Sequence, residues 1–68
     1  MTEIPIAPLI RLMRTAGAER VSPQAAEVLR DILEELTMAV ANKAIGLANH
    51  AGRKTLTGDD IKLAHQFM

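Results

Sequence analysis

Five cations stand apart by position: Arg11, Arg14, Arg20, Arg53 and Lys54 lie in a first helical stretch and in two short connections, while Arg30, Lys43 and Lys62 lie elsewhere. Guanidinium and ammonium groups beside helix ends can hold a phosphate oxygen with help from free backbone amides and the helix dipole. Phosphate is therefore the ligand this set suits. The acids run the other way: Glu27, Asp31, Glu34 and Glu35 crowd the first half of a long helical stretch, and Asp59 and Asp60 open a last one. With Lys plus Arg and Asp plus Glu at 8 each, the formal net charge is zero, so the sum conceals a dipolar surface. Charged loops are commonly no more than solvated surface. Placement in short loops at helix ends is what favours phosphate over that reading.

Other chemistry finds no constellation. The histidines are His50 and His65 and there is no cysteine, so a zinc site would have to be assembled from carboxylates scattered across subunits. Glu34 and Glu35 are neighbours on a helix and point to different sides, and no nucleophile, base and orienting group recur together. The chain is thus expected to be no enzyme, with no cofactor, no metal and no small-molecule substrate. Gly46, Gly52 and Gly58 are isolated, unlike a phosphate-cradling loop. A single aromatic residue, Phe67, argues against stacking of single-stranded bases. Met13 and Met38 read as core filler.

The elements that position these residues follow from local signals. Ser22-Pro23 is a helix start, the serine oxygen accepting an orphan amide and the proline giving up no intrahelical bond. Gly52 is the stop. Between them Leu29, Ile32, Leu33, Leu36, Val40, Ala44 and Leu47 recur at threes and fours, which sets them on one face. Val28 and Ala39 widen that stripe on one side, and Ala41, Ile45 and Ala48 on the other. A helix from Pro23 to His50 would run about 42 Å at roughly 1.5 Å per residue. A compact chain of this length has a radius of gyration of about 11 Å, a sphere roughly 28 Å across. The helix must overhang its own globule and needs a partner chain.

Met1 to Glu3 read as frayed. A short helix starting near Pro5 or Pro8 and ending at Gly17 carries Ile6, Leu9, Ile10 and Met13 on one stripe, with Arg11 and Arg14 on the more polar side. Residues 18 to 21 form a tight connection that contains Arg20. After Gly52 a second connection leads to Thr57-Gly58-Asp59-Asp60, a helix start in which threonine caps a forward amide while Asp60 reaches back. The last helix is expected from about Gly58 to Phe67, with Ile61, Ala64 and Met68 as one inward row and Leu63 with Phe67 beside it. The outline is a single all-α domain, residues 1–68. A two-fold dimer with antiparallel long helices would bring Arg20 of one chain beside Arg53, Lys54 and Thr55 of the other, giving two basic sites, and the paired first helices would add a third with Arg11 and Arg14.

With no run of 18 apolar residues and an amino terminus that carries Glu3 and two early prolines, a cytoplasmic protein is the default. The acidic polar face of the long helix argues against a membrane-surface role.

The stretches IPIAPLIRLMRTAGAERVS and NKAIGLANHAGRKTLTGDDIKLA, with the long helix between them, resemble the archaeal histones over essentially the whole chain. The markers PIAP, AGAERVS and HAGRKT, followed by Asp59 and Asp60, share that family's order and spacing. The resemblance implies a histone fold as an intertwined handshake homodimer, with heterodimers with other histones also open to it, and dimers joining end to end into tetramers or longer assemblies on double-stranded DNA at the chromosome. It implies that Arg20 enters the minor groove, held by Thr55 of the partner chain, and that Lys54 and Arg11 contact phosphates. It assigns Arg53 and Asp60 to an ion pair clamping the second loop, Leu47, His50 and Asp60 to the contact between dimers, and Gly17 to the stacking of successive superhelical turns. There are departures. More basic members often carry Lys or Arg where this chain has Gly46, Asn49, Thr57 and Gln66, and no basic carboxyl-terminal tail is expected. Each lost phosphate contact removes about 0.9 from the slope of log affinity against log salt, so weaker binding is expected. The alternative is a histone-fold dimerisation module with weak or no DNA wrapping.

Overall fold

In the computed structural model, which describes residues 3–68, the chain forms α1 (Ile6–Thr15), α2 (Pro23–His50) and α3 (Gly58–Gln66), and no strand occurs among the described residues. It divides into two compact units, Met1–Glu35 and Leu36–Met68, with α2 continuous through the division.

In the first unit, α1 has Pro5 before it and no side-chain cap. It ends where Gly17 takes φ +122. There the Gly17 amide donates to the Arg14 carbonyl at 3.0 Å and the Ala18 amide to Met13 at 3.0 Å, a Schellman turn that satisfies carbonyls the helix leaves open. Of the α1 stripe Leu9 is buried, and Ile6, Ile10 and Met13 are half-buried. The Ser22 hydroxyl starts α2 by accepting the Ala25 amide at 3.0 Å. Glu3 is not frayed: its amide and that of Ile4 both donate to Oε2 of Glu34. Of the residues read as frayed, Met1 and Thr2 lie outside the described ones.

In the second unit, α2 closes with a second Schellman turn, the Gly52 amide donating to Asn49 and the Arg53 amide to Ala48, both at 2.9 Å, with Gly52 at φ +74. Thr57 caps α3 in a capping box with Asp60, and α3 stops at Gln66, one residue short of Phe67. The inward row on α3 is only partly inward, for Ala64 is buried while Ile61 and Met68 are exposed within the single chain.

Among the described residues the buried apolar side chains are Leu9 and Ala26 in the first unit and Ala44, Ala48 and Ala64 in the second, four of these five being alanine, and no large side chain among them is fully buried. The long stripe of α2 lies partly open, with Ile32 at 54% and Val28 at 51% of full exposure. A shallow apolar groove lined by Ser22, Gln24, Ala25, Val28, Leu29 and Ile32 runs along its first half. Small side chains are closed in while the large ones remain open.

Candidate nucleic-acid interface

The second loop is built around Asp60. Its carboxylate accepts from Arg53 through both oxygens, Nη2 to Oδ1 at 2.7 Å and Nη1 to Oδ2 at 2.8 Å. This is the fork-to-fork geometry that gives guanidinium and carboxylate their directional strength. Oδ2 also accepts the Thr57 amide at 2.9 Å and the Thr57 hydroxyl at 3.0 Å. The Arg53 hydrogen bond, then the Thr57 backbone bond, hold the Asp60 carboxyl well below the usual carboxylate range, and the same pair raises the Arg53 guanidinium above its ordinary value. Asp60 is 5% exposed, so this charge is both enclosed and compensated.

Arg53 reaches further, donating from Nη1 to the Thr55 carbonyl at 3.3 Å. One guanidinium thereby ties the middle of the loop to the start of α3. Its fork is committed inside the chain, whereas the neighbouring Lys54 and Thr55 are exposed. A loop of fixed shape that turns a lysine and a threonine outward can hold a phosphate without ordering itself first.

In the first unit, Arg11 and Arg14 are exposed on α1, and Arg20 is exposed in the connection ahead of Ser22. Gly17 has a local task, the positive φ of the Schellman turn, and a Cβ added there would meet nothing within 4 Å. On α2, Leu47 is half-buried and His50 exposed in the last turn. The single chain thus brings Arg53, Thr55, Thr57 and Asp60 together. Arg20 belongs to one unit and Lys54 with Thr55 to the other.

Two polar contacts have no signal in the sequence pattern. Glu34, read as part of a solvated acidic face, holds the segment ahead of α1. Lys43, set apart from the cations of α1 and the two loops, donates from Nζ to the Phe67 carbonyl at 2.9 Å. Both join residues more than 20 positions apart, beyond the reach of helical periodicity. Among the described residues there is no group of three His, Cys, Asp or Glu that could hold a metal, and no helix long and apolar enough to cross a membrane.

Three helices in the order short, long and short, with a clamped loop between the second and third, have the element order of a histone fold, the class of chromatin DNA-binding proteins to which the family match assigns the chain. The chain belongs to the histone-like transcription factor (CBF/NF-Y) and archaeal histone family, whose profile matches residues 2–64. It is 55% identical over 64 residues to a subunit of archaeal histone HAN1 from Thermococcus zilligii, covering 94% of this chain and 96% of that one. It is 44% identical over 64 residues to probable archaeal histone 3 of Methanocaldococcus jannaschii, with the same coverage of both chains.

Proposed function

We propose that this chain works as a handshake dimer that binds and wraps double-stranded DNA with little regard to sequence, and that dimers join end to end along the duplex. The observation that carries the proposal is the second loop, where Arg53 is spent on Asp60 and on the Thr55 carbonyl while Lys54 and Thr55 face outward. Antiparallel pairing of two α2 helices sets the Arg20 loop of one chain beside that loop of its partner. Arg20 then enters the minor groove beside Thr55, and Lys54, Arg11 and Arg14 contact phosphates. Contacts of this kind read backbone shape and bendability, not base edges.

Exposed apolar side chains support the dimer: Val28 and Ile32 in the first unit and Ile45, Leu63 and Phe67 in the second are open in the single chain, and a partner that covers them removes that apolar surface from water. In this reading the two units sharing α2 form one domain on pairing, and heterodimers with other histones use the same faces.

Between dimers, Leu47 and His50 from the end of α2 meet their counterparts, with His50 donating to Asp60 across the contact. Oδ1 of Asp60 accepts from Arg53, and a carboxylate oxygen has a second lone pair with which to accept from His50. Gly17 permits close stacking of successive superhelical turns. The acidic first half of α2 faces away from DNA.

Gel-shift titration of the purified protein at low salt tests the binding. Arg20→Ala should weaken association with all duplex sequences alike and lower the salt slope by about 0.9. Absence of duplex binding by the unaltered protein would overturn the proposal. The zero net charge favours a second reading, a histone-fold assembly module that does not wrap; tight binding to another protein without any protected DNA would support it.

A further inference from the structure

Helix α3 has nine residues, and its buried residues are Asp60 and Ala64. Ala64 is closed in while Leu63 and Phe67 are exposed, the latter at 69%, so apolar burial anchors the middle of the helix more than its last turn. Polar ties act at both ends. Arg53 grips Asp60 in the first turn, and the Lys43 ammonium takes the Phe67 carbonyl at the last.

The end at Phe67 differs from the ends of the other helices. Both α1 and α2 finish on a positive-φ glycine whose turn returns two amides to the open carbonyls. In α3 the cap residue is Phe67 at φ −107 and ψ 23, and its amide and that of Met68 both return to the one carbonyl of His65. A cation at the negative end of a helix satisfies those carbonyls in another way, by a charge-assisted bond aligned with the dipole. Lys43 supplies it from α2.

Lys43 also lies four residues before Leu47 and seven before His50, a spacing that puts all three on one stripe of α2. Arg53 holds the start of α3 beyond the end of α2, and Lys43 holds its finish two turns back. Together they lay α3 along the stripe that carries Leu47 and His50.

We propose that Lys43 is a positioning residue for the contact between dimers: its bond to the Phe67 carbonyl fixes the finish of α3 so that the helix lies along the stripe that carries Leu47 and His50. The inference rests on the assembly reading above. A second copy of the dimer is the partner it serves.

The test uses the full-length protein with Lys43→Met, which keeps the aliphatic stem, and Lys43→Arg, which restores a cationic donor. Hydrogen exchange should show about fivefold less protection in the last turn of α3 for the methionine variant and recovery with arginine, while the rest of the dimer is unchanged. Crosslinking on saturated DNA should give shorter dimer arrays with Lys43→Met and normal arrays with Lys43→Arg, as the conservative change keeps the tie. Unchanged protection in Lys43→Met, or failure of arginine to rescue, would refute the tie. Normal arrays in Lys43→Met alongside short arrays in His50→Ala would refute its role in assembly. If His50→Ala leaves arrays unchanged, the assembly reading fails, and with it the role of Lys43 there, while exchange still decides the tie.

Discussion

Asp60 carries more of the second loop than any other side chain, and its protonation should be visible in the stability of the protein. Its folded pKa lies below the ordinary 3.8 because Arg53 and the Thr57 amide hydrogen-bond to the ionised form. The unfolded chain therefore binds that proton more readily than the folded one, and stability rises with pH through the interval between the two values. The contribution is complete above about pH 4 and is lost as the pH falls through the folded value. Urea titrations between pH 5 and pH 2 should show Asp60→Asn losing less stability on acidification than the unaltered protein. Parallel curves would mean that the Arg53 contact does not persist in solution. At this scale the spacing of Thr57, Asp59 and Asp60 makes the capping box readable from sequence alone, since a cap is a local event. Glu34 and Lys43 are not readable in that way. Each bonds to backbone far away in the chain, and backbone groups carry no residue-type signature to search for.

Among the elements, the helix boundaries are the most legible feature because their causes are local: Ser22 before Pro23, Thr57 before Gly58, and glycine at positions 17 and 52. The positive φ at those two glycines converts a sequence signal into a stated backbone demand. Gly17→Ala places a Cβ in a conformation that L residues avoid, with no steric neighbour to blame. It should cost about 1–3 kcal/mol in chemical denaturation whether or not DNA is present. A change confined to the spacing or length of DNA-bound arrays, with unaltered stability of the free protein, would place the role of Gly17 in stacking alone. Side-chain burial is less legible than the elements themselves. Periodicity assigns Ile32, Leu36 and Ile61 to an inner face, and all three are exposed in the isolated chain, while Ala26, Ala44, Ala48 and Ala64 are closed in. A helical stripe identifies apolar residues that need covering but does not say which chain covers them.

For the whole molecule, that distinction becomes a prediction about concentration. A chain whose large apolar residues are open and whose core is mostly alanine should fold together with its partner, so its midpoint of thermal unfolding should rise with protein concentration. A midpoint constant over a hundredfold dilution would indicate a monomer stable on its own. In the proposed reading, the balanced charge, with Lys plus Arg equal to Asp plus Glu, would place the DNA contacts in a few loop residues instead of a general basic surface, and the long α2 would set the distance between those loops in the dimer. Wrapping is the claim that joins these features, and micrococcal nuclease digestion of complexes reconstituted with long duplex DNA tests it most directly. Protected fragments in a regular ladder are predicted, their spacing set by the addition of dimers. Complete digestion under conditions where gel shift shows the DNA to be bound would contradict wrapping and leave a binding or assembly module in its place.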